Sequence, residues 1–183
     1  VLVVSAAASL IDAFRDIAPV FEAAHPGVDV VMNFASSGAL YHQIAQGAPV
    51  DVYASANPKW MTKAVQGAFT TEAAVKVLAY NALVLAVPAG NPAGVDTVSD
   101  LSRENVQRIG IGSPVTVAAG QYARTALESQ GLFTALEPKF ILCEHVRQVL
   151  DYLVRGEVDV GFVYRTDAVK AGHGVVIVAD VIY

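Results

Sequence analysis

At 183 residues and 54% hydrophobic content, the chain has enough apolar side chains to bury the core of one large α/β domain or two small ones, which excludes a disordered segment. A net charge of −5 with scattered Lys and Arg excludes the concentrated basic face of a nucleic-acid binder. No apolar run reaches membrane-spanning length without a charge, Gly or Pro breaking it, and the single cysteine, Cys143, leaves neither a disulfide framework nor a Cys-based metal site.

The chain opens on an apolar strand pattern, Val1-Leu-Val-Val, so no signal peptide is read in it; a cleaved signal would leave the same appearance. The strand enters a turn of small residues, Ser5-Ala-Ala-Ala-Ser9. Leu10, Ala13, Phe14, Ile17, Phe21 and Ala24 then keep helical spacing, with Ser9 expected as N-cap and Asp12 completing a capping box. His25-Pro26-Gly27 stops that helix, and the β-branched residues 28–34 predict a buried strand, giving a strand-helix-strand unit. A second small-residue turn, Ala35-Ser36-Ser37-Gly38, repeats the design of the first. A short helix over 39–46, a strand over 50–54 and a helix over 59–65 follow, then a long apolar run over 75–87 in which residues 79–85 read as a hinge strand.

Beyond the loop Pro88-Ala-Gly-Asn-Pro92 a short helix is expected over 98–101 and a strand over 108–112. The turn over 113–120 leads into a helix carrying Tyr122, Ala123, Ala126 and Leu127. Residues 139–142 read as a strand, and Val146, Val149, Leu150, Leu153 and Val154 mark a helix that Gly156 ends, with His145 placed to cap it. Strands over 158–164 and 175–178 close the pattern. This alternation predicts an α/β fold with largely parallel sheets flanked by helices, divided into lobe one (1–80), lobe two (81–178) and the start of a return hinge (179–183). The chain ends where a crossing back would begin, so lobe one is expected to lack a C-terminal return segment.

Enzymatic motifs are missing. There is no Gly-x-Ser-x-Gly elbow and no P-loop, and Gly110-Ile-Gly112 begins a dinucleotide fingerprint that the following residues do not complete. The four histidines, His25, His42, His145 and His173, are dispersed and without clustered carboxylates, and Cys143 reads as a small core residue. With no nucleophile, base and orienter to assemble, the chain is expected to be no enzyme and to need no cofactor. What is present is a set of helix starts. Each serine of the two turns could be a plain N-cap, and Tyr164 at a strand end could be core. Yet all these positions, with the entry at Ala119-Gly120, fall at carboxyl ends of predicted strands, where open α/β sheets bind ligands and where free backbone N–H groups and the helix dipole favour an oxyanion.

Ala6-Ala-Ala-Ser-Leu10, Phe34-Ala-Ser-Ser37, Gly47-Ala-Pro-Val-Asp51, Ser55-Ala-Asn-Pro-Lys-Trp-Met61, Ala119-Gly-Gln-Tyr-Ala123, His145-Val-Arg147 and Gly161-Phe-Val-Tyr164, in this order and spacing, make the chain resemble the periplasmic molybdate-binding proteins of ABC importers over nearly its whole length. The resemblance implies the two-lobed periplasmic-binding-protein fold with a tetrahedral dianion, molybdate or tungstate, held in the cleft. It implies five ligand-binding positions: Ser9 and Ser37 from lobe one, and the backbone N–H of Ala119, the backbone N–H of Val146 and the hydroxyl of Tyr164 from lobe two. Ser36 is then a bystander, and the ligand's metal is held through its oxygens with no direct metal ligand. The resemblance further implies a monomer in the periplasm or another extracytoplasmic space, partnered by a membrane permease, and no nucleic acid. Ala118 stands where the family commonly has proline. The alternatives are a binder of another anion such as sulfate, or the sensing domain of a transcription regulator, which would need a DNA-binding arm that this sequence lacks.

Overall fold

In the computed structural model, which describes residues 1–183, β1 (Leu2–Ala7) is the middle strand of a three-stranded parallel sheet, between β2 (Val30–Ala35) and β3 (Val52–Ala54). α1 (Ile11–Ala24) connects β1 to β2, α2 (Ser37–Ala45) connects β2 to β3, and α3 (Pro58–Gln66) follows β3. These elements lie in one unit, Val1–Leu78, whose buried side chains include Val4, Ala6, Leu40, Trp60 and Ala64.

Two expectations change here. The strand over 28–34 was expected to be buried, but β2 is an edge strand with one neighbour, and Val31 is 51% exposed. The hinge strand over 79–85 is also shorter than expected: residues 75–82 are mostly exposed and carry no strand pairing, and pairing begins only at Leu83, where two partner strands become available.

The second unit, Ala79–Tyr183, is built on a five-stranded sheet in the order β6-β5-β7-β4-β8. Its strands are β4 (Leu83–Pro88), β5 (Ile109–Gly112), β6 (Phe140–Cys143), β7 (Val160–Tyr164) and β8 (Val175–Asp180). β6, β5 and β7 are parallel, β4 runs antiparallel to β7, and β8 antiparallel to β4. All six residues of β4 are buried, as its unbroken apolar sequence requires of a strand covered on both faces. β8 continues to Asp180, and the Val181 amide donates to the Leu83 carbonyl, so residues 179–181 are held in this unit.

Four helices flank the sheet: α4 (Ala118–Ser129), α5 (Phe133–Leu136), α6 (Val146–Val154) and α7 (Arg165–Ala171). α5 and α7 are too short for a visible apolar period and have no counterpart in the sequence reading. α6 buries Val149 and Leu153 completely, each contributing roughly 1.5–3 kcal/mol of transfer free energy. It lies close to the sheet because Gly110 and Gly161 leave room for it, a Cβ at those positions meeting Val149 at 3.0 Å and 2.7 Å.

Candidate functional site

In the first unit the register of β1 and β2 matters most. Ala7 pairs with Ala35 at the carboxyl ends of these parallel strands, so Ser9 and Ser37, each two residues further on, leave the same edge of the sheet at equivalent steps. Ser36 is the N-cap of α2 and its Oγ accepts from the Ala39 amide. Ser37 is the first residue of that helix and 1% exposed. Its Oγ accepts from the Ala56 amide at 2.9 Å, and its carbonyl accepts from the Tyr53 hydroxyl at 2.7 Å. A serine hydroxyl that accepts one bond still has its hydrogen to give, so this contact orients Ser37 as a donor. Burial pushes the Tyr53 phenol up to about 12, which keeps it protonated as the donor to Ser37.

Ser9 is not the N-cap the sequence predicts. It lies inside a 3-10 turn, Ala8–Leu10, that precedes α1, and neither this turn nor α1 has a side-chain cap. The β-strand runs on to Ala7, leaving too few residues for Ser9 to stand outside the helical turn. The capping explanation for Ser9 therefore falls away, while Ser36 takes the capping duty in the second turn.

In the second unit, β6, β5 and β7 are adjacent and parallel, so their carboxyl ends share one edge, and from it depart α6, α4 and α7. Gly112 pairs with Cys143 at the ends of β5 and β6, and the Ser113 amide donates to the Cys143 carbonyl. α4 starts without a side-chain cap, and its backbone bonding begins with Gln121 donating to Val117, so the amides of Ala118 and Ala119 lie ahead of that bond. Gly120 seats this helix start: a Cβ there would stand 1.8 Å from the Gly112 carbonyl oxygen. The start of α6 is capped by His145, as expected, its Nδ1 accepting from the Gln148 amide at 3.1 Å, which leaves the Val146 amide free of the cap.

Tyr164 closes β7. It is 4% exposed, and its hydroxyl is buried without a hydrogen-bond partner. Burial drives its pKa far up, and Tyr122, Tyr183 and Asp167 add to the rise, so the hydroxyl keeps its proton. An orphaned buried hydroxyl costs about 1–3 kcal/mol of desolvation, and it leaves Tyr164 with a donor still to give.

The structure thus brings Ser9 and Ser37 to one sheet edge, and Ala119, Val146 and Tyr164 to another. All five offer N–H or O–H donors, and no group of three or more His, Cys, Asp or Glu gathers anywhere. The cavity lined by Pro88, Pro92, Arg108, Gly156, Val158 and Asp159 lies at the opposite edge of the second sheet and holds the Arg108–Asp159 ion pair. The sequence reading missed Tyr53, whose role depends on β3 lying beside β1, and the Arg147–Asp167 ion pair, whose members are 20 residues apart on helices of which only one was foreseen. Cys143 is buried, as read.

Residues 2–181 match the family model described as bacterial extracellular solute-binding protein. The molybdate-binding protein ModA of Escherichia coli is 41% identical over 182 residues, covering 97% of this chain and 70% of that protein. Among solved structures, the periplasmic molybdate-binding protein of Azotobacter vinelandii superposes with a TM-score of 0.81 at 25% identity, covering 94% of this chain and 75% of that one. The substrate-binding domain of a putative molybdenum ABC transporter from Clostridium difficile superposes with a TM-score of 0.68 at 32% identity, covering 99% and 78%. The chain spans 64% to 70% of the length of the first curated relatives it matches. It is a member of the bacterial extracellular solute-binding protein family.

Proposed function

We propose that the protein binds a fully ionised tetrahedral oxyanion, molybdate or tungstate, and delivers it to the membrane permease of an ABC importer. The observation that carries this reading is the buried, unpartnered hydroxyl of Tyr164 on the same sheet edge as the uncapped start of α4 and the start of α6, where the His145 cap takes the Gln148 amide and not that of Val146. In this reading the anion's donors in the second unit are the Ala119 and Val146 amides and the Tyr164 hydroxyl, and its donors in the first are the Ser9 and Ser37 hydroxyls and amides. Neutral donors suffice for a dianion, because hydrogen bonds to a charged acceptor are about twice as strong as neutral ones and helix N-termini add their dipoles. Sulfate is smaller and would leave such bonds stretched, and phosphate brings a proton to a ring of donors.

The protein acts without catalysis, as a monomer, with no cofactor and no nucleic-acid partner, in the periplasm or an equivalent extracytoplasmic space. Relatives named for molybdate favour this over a sulfate binder or a regulator's sensing domain. Isothermal titration with molybdate, tungstate, sulfate and phosphate tests it. Tight molybdate and tungstate binding with weak sulfate and phosphate binding is expected, and tight binding of a different solute with no molybdate heat would overturn it.

A further inference from the structure

Arg147 is the second residue of α6 and Asp167 the third of α7, and Arg147 Nη1 lies 2.8 Å from Asp167 Oδ1. The two side chains are 21% and 3% exposed. The strands that launch these helices, β6 and β7, are not neighbours, because β5 lies between them. The ion pair therefore straps together two helix starts that the sheet connects only through an intervening strand. One of them carries the Val146 amide, and the residue before the other is Tyr164. Packing alone could join α6 to α7, and a buried ion pair gains little stability over an apolar pair of similar volume. What a guanidinium–carboxylate bond adds is a fixed distance and direction.

Resting on the anion-binding reading above, we propose that Arg147 and Asp167 are positioning residues. Their bond fixes the spacing between the Val146 amide and the Tyr164 hydroxyl at that of a large tetrahedral dianion, and so sets the preference for molybdate over the smaller sulfate.

The test is titration calorimetry of the full chain and of the Arg147→Lys and Asp167→Asn variants, with molybdate directly and with sulfate by competition, alongside thermal melts. Arg147→Lys keeps the charge and loses the planar fork; Asp167→Asn keeps the shape and unmasks the Arg147 charge. The expected result is a fall of about tenfold in the molybdate-to-sulfate affinity ratio in both variants, the scale of one well-made charge-assisted bond. A ratio left unchanged in both overturns the proposal. It does so whether the two affinities rise together in Asp167→Asn, as an unmasked cation would cause, or fall together with the melting temperature, as a purely structural bond would cause. Should Asp167→Asn fail to fold, Arg147→Lys decides the matter. Absence of molybdate binding by the unaltered chain refutes the functional reading itself, and this proposal with it.

Discussion

Replacing Tyr164 by Phe separates stability from binding, because the structure assigns opposite signs to the two effects. The ring of Tyr164 is part of the continuous core of the second unit, and Phe preserves that packing, while the hydroxyl it removes is buried and has no partner. Leaving such a group unsatisfied costs about 1–3 kcal/mol, so its removal should stabilise the anion-free protein by about 1 kcal/mol at the low end. For a chain of this size that is a rise of roughly 2–4 °C in Tm. The same change deletes a hydrogen bond to a charged acceptor, about 1.5–3 kcal/mol, so molybdate affinity should fall by about tenfold to about 150-fold. Differential scanning calorimetry without anion and isothermal titration with molybdate read the two numbers independently. A lower anion-free Tm together with unchanged affinity would refute the reasoning, since it would mean that the hydroxyl is satisfied inside the protein and has no part in binding.

The two serines should behave differently from each other. Ser9 caps neither its own turn nor α1, so Ser9→Ala should leave the anion-free Tm within about 2 °C, equivalent to about 0.5 kcal/mol, while weakening molybdate binding about tenfold or more. Ser37→Ala also strips the Ala56 amide of its acceptor, so it should cost about 1 kcal/mol of stability besides the affinity, and equal melting temperatures for the two variants would contradict the Ala56 contact. Gly120→Ala drives a Cβ into the Gly112 carbonyl and should cost about 3 kcal/mol with loss of tight binding, both read in a chemical denaturation and titration series; a fully stable variant would refute the close seating of α4. Burial raises Cys143 from 9.0 to about 11 and Tyr53 from 10.0 to about 12, so the unfolded chain loses these protons first: stability should be intact below pH 9 and decline as the pH rises through 11 and 12. Melts between pH 8 and 12 check this, and a flat profile would show that these groups are not desolvated in the folded state.

Local pattern made much of the fold legible, and the limits of that legibility are physical. The helices α1, α4 and α6 announce themselves by apolar spacing, and the strands by β-branched runs bounded by Gly and Pro; in α4 and α6 that spacing marks a buried face, whereas no residue of α1 is fully buried. Whether a strand is central or at an edge depends on its partners, which no window of sequence contains, and so 28–34 looked buried where β2 is half open. The same limit applies to the helix starts. Ser9 and Ser36 occupy similar turns, yet the helical turn begins at Ala8, directly after β1, and takes Ser9 in, while Ser36 stands between the end of β2 and the first residue of α2 and is left outside as the cap. The choice of Ser37 over Ser36 rests on resemblance; what the structure adds is that Ser37 is held by the Ala56 and Tyr53 contacts while Ser36 caps α2, and residue types alone could not supply those contacts.

The proposed donors differ in their means of excluding phosphate. Backbone amides only donate, so the Ala119 and Val146 positions have no means of receiving a phosphate hydroxyl hydrogen. Hydroxyls can do either, and Tyr164, having no internal partner, is free to turn. Ser37 lies between these cases: the Ala56 amide already occupies one of its two lone pairs, which leaves it a hydrogen to give and only one lone pair to accept with. Discrimination against phosphate should therefore reside in the amides and Ser37, with little from Tyr164. Tyr164→Phe should then weaken molybdate and phosphate by similar factors, keeping their affinity ratio within about threefold, or about 0.7 kcal/mol. Competition titrations with phosphate against molybdate measure that ratio. Its collapse in this variant would mean that the tyrosine hydroxyl is held as a donor by some group in the bound state and is itself the element that rejects a protonated anion.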